Sequence, residues 1–326
     1  MKARAIRFHD NGGPEVLRWE EVDLPAPGEG EVLVRHSAIG LNYIDTYQRS
    51  GLYPMQLPSG LGLEAAGVVE QVGPGVTTHV AAGDRVAYGS GPPGGYSEAR
   101  VMPAATVVKL PDSIDDRTAA AMMLKGMTVE YLLTRTYSVK AGETILFHAA
   151  AGGVGLIAGQ WAKALGATVI GTAGSAEKCE LARRHGYDHV IDYTKEDIAA
   201  RVRELTNGAG VPVVYDSVGR ATWIPSLDSL KPRGLLVSFG NASGPVTDVN
   251  LGILAQKGSL YVTRPTLMTY TATRPELEQS ANAVMKMVSS GKVRIEVNQT
   301  YPLSEARKAH EDLEGRRTTG STVLTV

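Results

Sequence analysis

The sequence predicts an α/β protein in which a β-rich domain, assembled from both ends of the chain, is interrupted by a doubly wound parallel sheet. Three observations lead there. The first third is a series of short β-branched runs broken by turn residues. From residue 143 onward apolar strands alternate with helical patterns. A glycine-rich turn lies at the first strand-to-helix junction of that alternating stretch.

The early strands are predicted at residues 3–6, 32–37, 67–72 and 85–87. They are punctuated by Gly12-Gly13-Pro14, Pro25-Ala26-Pro27-Gly28 and Gly91-Pro92-Pro93-Gly94-Gly95, which supply turn geometry and stop ladder pairing. Residues 115–137, with Ala119-Ala120-Ala121 and Leu132-Leu133, read as a helix. The alternation then runs strand 144–148, helix 153–165, strand 168–172, helix 177–185, strand 190–192, helix 198–205, and strands 213–216 and 235–239. Runs such as Leu235-Leu236-Val237 suit parallel strands buried on both faces. Residues 260–263, bounded by Gly258-Ser259 and Arg264-Pro265, read as the last strand of that sheet. Helices at 275–290 and 304–313 and a closing strand at 322–326 complete the chain. The expected division is 1–124 with 266–326 for the β-rich domain and 125–265 for the inserted one.

With 43% hydrophobic and 21% charged residues, 326 positions suffice for two ordinary globular domains. A formal charge of -1 offers no basic surplus for nucleic acid or a membrane surface. The single cysteine, Cys179, precludes an intramolecular disulfide and a thiolate-rich structural zinc site. The N-terminus, Met1-Lys2-Ala3-Arg4, has no apolar run long enough for a signal peptide, no apolar segment approaches the length of a membrane span, and a cytoplasmic address is the resulting expectation.

Ala150-Ala151-Gly152-Gly153-Val154-Gly155 follows the strand at 144–148 and opens a helix. Small residues there let the chain turn tightly, bring backbone N–H groups up to a pyrophosphate and pack the helix hard on the strand. The helix N-terminus also favours the negative charge. NAD sites usually carry an acid about 20 residues further on, at the end of the second strand. Here that strand ends in Thr172-Ala173-Gly174-Ser175-Ala176, followed by Lys178. A hydroxyl and an ammonium in place of a carboxylate suit the 2′-phosphate of NADPH.

At the N-terminus stands Gly12-Gly13-Pro14-Glu15-Val16-Leu17, and next Leu61-Gly62-Leu63-Glu64-Ala65-Ala66-Gly67. The centre holds Phe147-His148-Ala149-Ala150-Ala151-Gly152-Gly153-Val154-Gly155, with Val214-Tyr215-Asp216-Ser217-Val218-Gly219 beyond it. Together these resemble the quinone oxidoreductase and ζ-crystallin branch of the medium-chain dehydrogenase/reductase superfamily, over essentially the whole chain. The resemblance implies a GroES-like catalytic domain, an inserted Rossmann domain, NADPH bound in the cleft between them, and a homodimer joined through the Rossmann sheets. It places Gly174, Lys178, Tyr193 and Arg316, with Ser175 beside them, around the 2′-phosphate. Gly152, Gly153, Val154 and Gly155 lie at the pyrophosphate, and Asn42, Tyr47 and Tyr53 near the nicotinamide and substrate. Phe239, Gly240, Val262 and Arg264 are further cofactor candidates.

Zinc-dependent relatives have an early cysteine ligand and a Gly-His-Glu motif. This chain has Gly40-Leu41-Asn42-Tyr43-Ile44-Asp45 and Gly62-Leu63-Glu64 at those places, with neither the cysteine nor the histidine. No metal is therefore expected. Without a Lewis acid, a quinone is a suitable acceptor because its reduced anion is delocalised, and the protein acts by positioning. Reduction of an α,β-unsaturated ketone or aldehyde has the same electronics. A nucleotide-controlled RNA-binding or structural protein is the alternative of another class. The missing acid and Lys178 together predict tighter binding of NADPH than of NADH. Lys178→Ala should weaken NADPH selectively by about tenfold or more in a cofactor titration, and equal wild-type affinities would refute the assignment.

Overall fold

The computed structural model describes residues 1–76 and 79–326. They fall into two compact units, Met1–Met127 with Tyr270–Ser289 and Ile295–Val326, and Thr128–Thr269 with Ser290–Arg294.

The chain begins in the first unit with β1 (Lys2–Phe8), β2 (Arg18–Asp23), β3 (Glu31–Leu41), α1 (Tyr43–Arg49), β4 (Ser59–Gly60), β5 (Glu64–Val72), β6 (Arg85–Tyr88), β7 (Ala99–Pro103), β8 (Val108–Lys109) and α2 (Asp116–Tyr131). β1 pairs antiparallel with β2 and β4 in a three-stranded sheet. The eleven-residue β3 lies at the centre of a larger sheet and pairs antiparallel with β5 and β7. Phe8, Val34, Ile39, Leu61, Val69, Val86 and Met102 interleave in the core of this unit. α2 has no polar face over its middle, because Ala119, Ala120, Ala121, Met122, Met123 and Met127 are all fully buried. A helix buried on all sides shows no amphipathic period.

The second unit runs β9 (Thr144–Phe147), α3 (Gly153–Ala164), β10 (Thr168–Ala173), α4 (Ala176–Arg184), β11 (His189–Asp192), α5 (Ile198–Leu205), β12 (Val211–Asp216), α6 (Trp223–Ser229), β13 (Leu230–Ser238), α7 (Gly252–Gln256), β14 (Tyr261–Thr263) and α8 (Leu267–Tyr270). Its six strands are all parallel, in the order β11-β10-β9-β12-β13-β14. This is the Rossmann arrangement, and the winding reverses between β9 and β12. Ser175 and Asp197 cap α4 and α5, each accepting a backbone N–H three residues on. β14 is an edge strand, as its sequence suggests, with Tyr261 and Val262 exposed.

The first unit then resumes with α9 (Arg274–Ser289), β15 (Val297–Pro302), α10 (Ala306–Glu314) and β16 (Ser321–Thr325). β16 adds antiparallel to β3, and β15 adds parallel to β16. The largely antiparallel sheets and the inserted parallel sheet make the GroES-like plus Rossmann architecture expected of the sequence. Several details differ from the sequence reading. α1 is a helix where no helical period is visible. β2, β4, β7, β8 and β15 are additional strands, and α6, α7 and α8 additional helices. The helix expected to reach residue 137 ends at Tyr131 and continues as a π-helical turn over Leu132–Thr136. Among the described residues no helix is long and apolar enough to cross a membrane.

Close packing in the second unit centres on Tyr187. The residue is buried, its hydroxyl donates to the Gly155 carbonyl at 2.7 Å, and its ring lies where a Cβ on Gly159 would stand. Gly159→Ala should therefore destabilise the protein by about 1–3 kcal/mol through overpacking, measured as a lowered Tm. An unchanged Tm would contradict this account of the interface.

Candidate active site and cofactor site

The glycine-rich turn leaves β9 where the sheet winding reverses, the place where open α/β sheets bind ligands. Ala149 adopts a left-handed conformation, φ 53°, and Gly152 caps α3 with extended backbone. A Cβ on Gly155 would run into the Ala149 and Ala150 carbonyls. Glycine there lets α3 start hard against the strand, with its first-turn N–H groups aimed out of the turn and lacking helical partners.

A buried polar hub behind this turn ties three strand ends together. His148 is fully buried, and burial pushes its pKa down, so the ring is neutral. The Ser226 hydroxyl donates to Asp216 Oδ2 at 2.8 Å, so His148 Nε2–H donates to Ser226 Oγ at 3.0 Å. Nδ1 then accepts from the Thr172 hydroxyl at 3.0 Å. Asp216 Oδ1 also accepts from Val218 N, Gly219 N and the Thr222 hydroxyl. The His–Ser pair lacks the exposure a nucleophile needs; it fixes the ends of β9, β10 and β12.

Gly174, Ser175, Lys178 and Tyr193 come together past the ends of β10 and β11. Tyr193 N–H donates to the Ala173 carbonyl at 3.1 Å, and the Tyr193 hydroxyl sits over Gly174, where a Cβ would strike it. Ser175 Oγ accepts the Lys178 N–H at 3.3 Å, and Lys178 is half-buried. The sequence reading missed two carboxylates nearby. Asp192 pairs in register with Ala173, and Glu177 lies in the first turn of α4. Asp192 accepts from the Thr194 hydroxyl and pairs with Lys195, and the Thr194 bond first of all lowers its pKa. Glu177 is held low by its own backbone N–H and by the Ser175 hydroxyl.

Phe239 and Gly240 follow β13, and Arg264 follows β14. Arg264 donates to Ser238 Oγ at 3.0 Å and to the Gly240 carbonyl at 2.9 Å, which pins the loop after β13. Val262 lies within β14, opposite Leu236. Arg316 belongs to the first unit, in left-handed backbone just past α10.

In the first unit Asn42, Tyr47 and Tyr53 form one group around α1. The Tyr47 and Tyr53 rings meet edge-on at 5.3 Å, and the Tyr53 N–H donates to the Tyr47 carbonyl. Asn42 is buried and held from two sides. Its backbone N–H donates to Asp45 Oδ2 at 2.9 Å, and its side-chain Nδ2 donates to Glu64 Oε2 at 2.8 Å. Glu64 also accepts from Lys125 Nζ at 2.7 Å and from the Leu124 N–H at 2.8 Å. Glu64 and Lys125 are both buried, so each charge depends on the other. The sequence held one signal for this pair, a lone acid and a lone lysine inside apolar runs.

Leu63, where a zinc-dependent relative has histidine, is buried in the core. Among the described residues no group of three or more metal-ligating side chains comes together. The neighbouring carboxylate, Glu64, already carries a cation of the protein's own.

Residues 28–112 match the family described as the alcohol dehydrogenase GroES-like domain, and residues 153–286 the one described as zinc-binding dehydrogenase. Over 99% of both chains the protein is 60% identical to a quinone oxidoreductase of Pseudomonas aeruginosa. The chain belongs to the quinone oxidoreductase family. The structure of an Escherichia coli quinone oxidoreductase complexed with NADPH superposes with a TM-score of 0.98 at 55% identity, covering 99% of this chain and 100% of that one. A 2-haloacrylate reductase from Burkholderia sp is 46% identical over 98% of both chains.

Asp45 offers a test of the site's electrostatics. Burial raises its pKa to about 7, against the bonds from Asn42 and Tyr96 and the charge of Lys125, which lower it. The folded protein therefore holds this proton where the unfolded chain, with a carboxyl near about 4, has released it. Stability should fall as pH rises between those two values. Asp45→Asn removes this contribution, so the loss of Tm between pH 5 and pH 8 should be smaller in the variant. Equal losses in thermal melts would show that Asp45 does not titrate in this way.

Proposed function

We propose that the protein is an NADPH:quinone oxidoreductase that works without a bound metal. Its full-length similarity to an NADPH-complexed quinone oxidoreductase carries this reading. The fit of the chain's own residues to the dinucleotide supports it. The Gly155 cradle and the α3 N-terminus suit a pyrophosphate, contributed by Gly152, Gly153, Val154 and Gly155. Lys178, Ser175, Gly174 and Tyr193 take the 2′-phosphate, with Asp192 turned onto Thr194 and Lys195. Phe239, Gly240, Val262 and Arg264 complete the cofactor contacts.

When bound, NADPH supplies the reducing equivalents. Asn42, with its amide fixed by Glu64, orients the nicotinamide, while Tyr47 and Tyr53 orient the acceptor and offer hydroxyls to its developing oxyanion. No side chain needs to be an obligatory acid, because a reduced quinone is stabilised by its own ring. The Lys125–Glu64 pair supports metal independence, since its ammonium already neutralises the one carboxylate beside Leu63. The exposed β14 edge, with Tyr261 62% exposed, supports a homodimer paired through this strand.

Similarity to a 2-haloacrylate reductase favours a second reading, reduction of electron-poor alkenes at the same site. Mixing the protein with NADPH and either quinones or 2-haloacrylates, and following cofactor absorbance, separates the two. Quinones are expected to be turned over, with no effect of a chelator. Binding without turnover would point to a nucleotide-controlled binding protein instead. Tyr47→Phe and Tyr53→Phe should each retain measurable quinone reduction. A loss greater than about 10⁴-fold with cofactor binding intact would make that tyrosine an essential acid.

A further inference from the structure

α1 is only seven residues long, too short to persist without tertiary support. It nevertheless carries Tyr47 and follows directly on Asn42. Its support is unusual in being ionic and buried. Arg49, the last residue of α1, is 1% exposed. Its guanidinium donates to the Gly12 carbonyl at 3.1 Å, to His310 Nδ1 at 2.8 Å and to both carboxylate oxygens of Glu314 at 2.8 and 2.9 Å. His310 and Glu314 both lie on α10. Beyond His310 the connection continues, with Nε2 lying 3.2 Å from the Tyr96 hydroxyl, which donates to Asp45 Oδ2 at 2.8 Å.

The direction of every bond follows from elementary donor and acceptor roles. A guanidinium only donates, so His310 Nδ1 must accept. Burial, with Arg49 adding to it, lowers the His310 pKa to about 3, so the ring is neutral and its one proton is on Nε2. Nε2–H then donates to the Tyr96 oxygen, which passes its own hydrogen to Asp45. All the bonds point from the Arg49 guanidinium to Asp45 Oδ2, the arrangement in which each polarises the next. The two ends, Asp45 and Arg49, lie four residues apart on the same helix, so the chain closes a ring on α1. Asp45 Oδ1 has no hydrogen-bond partner. The Asp45 side chain is thus held through Oδ2 alone, by Asn42 N–H and Tyr96 O–H.

We propose that the chain Arg49–His310–Tyr96–Asp45 is a positioning device that sets α1, and through it Asn42 and Tyr47, for reduction of the acceptor, with α10 supplying its outer half through His310 and Glu314. The inference rests on the functional reading above, in which Asn42 and Tyr47 face the nicotinamide and acceptor. Neither Tyr96 nor His310 needs to touch substrate. They act by fixing the backbone that presents residues which do.

The test compares kcat, quinone KM and NADPH Kd in Tyr96→Phe, His310→Leu and His310→Gln, with Asn42→Ala beside them. Displacing a reacting group by a fraction of an ångström lowers turnover steeply, so Tyr96→Phe and His310→Leu should each lose about tenfold or more in kcat. NADPH Kd, set mainly by the second unit, should change by less than about threefold on that same scale. A glutamine at 310 can accept from Arg49 and donate to Tyr96, and His310→Gln should recover most of the loss. An unchanged kcat in Tyr96→Phe and His310→Leu, alongside a reduced one in Asn42→Ala, would overturn this inference and leave the functional reading standing. An unchanged kcat in Asn42→Ala would remove the reading and the inference together. Glu314→Gln, at the half-exposed end of the chain, loosens Arg49 without opening the core and should lower kcat by about threefold. An unaffected Glu314→Gln enzyme would overturn the inference even where an inner variant fails to fold.

Discussion

Helix α3 packs so closely on the turn that precedes it and on the segment after α4 that no side chain fits at Gly155 or Gly159, and that closeness organises the second unit. It brings the helix N-terminus to the end of β9 and seats Tyr187 against the helix, with its hydroxyl on the Gly155 carbonyl. It also places the turn where the parallel sheet reverses its winding, so N–H groups face the region beyond the strand ends. The polar hub of His148, Ser226, Thr172 and Asp216 keeps those strand ends in register behind the turn. A loop alone would not hold a diphosphate this way; a loop packed between a close helix and a bonded hub does.

The first unit follows another logic. Its core contains opposed charges among apolar strands, and such pairs add little net stability compared with hydrophobic replacements of the same shape. Their worth is in specificity, since removing one partner strands the other in a low-dielectric interior. Glu64 with Lys125, and Asp45 with Arg49 through two intermediaries, converge on the same short helix and on Asn42 before it. Apolar packing could bury α1 but would leave it free to slide or rotate. Directional bonds at Asn42 from both its backbone and its amide do not allow that.

The two units differ in how far they could be read from the sequence. In the second, strand and helix patterns are local and strongly periodic, and β9, α3, β10 and α5 lie within a residue or so of expectation. The glycine turn is a contiguous string whose chemistry is legible on its own. In the first, β2 reads Arg-Trp-Glu-Glu-Val-Asp with no fully buried position, and it is a strand because β1 pairs with it. α1 has no apolar stripe to reveal it, and its helicity depends on Asp45 and Arg49 finding partners far along the chain. Arg49 and His310 are 261 residues apart, and Tyr96 and His310 are 214 apart. No window of sequence contains both members of such a pair. Lys125 stands alone in the alanine and methionine run of α2, but a helix buried through its middle gives no phase from which the direction of that lysine could be read.

The pairing of β16 with β3 joins residues near the two extremes of the chain, Val323 opposite Gly40 and Leu324 opposite Ile39. α10, with His310 and Glu314, arrives from the same late segment. During synthesis the parallel sheet is a nearly continuous stretch and can assemble as soon as β14 has left the ribosome. The larger sheet of the first unit must wait, with β3 unpaired on one side over Ala38–Leu41, until β16 emerges. Domains generally form as units in order of synthesis, but here the part made first is finished last. The fold therefore imposes an order on its own maturation: the nucleotide-binding architecture is in place before α10 can close its ring of bonds on α1.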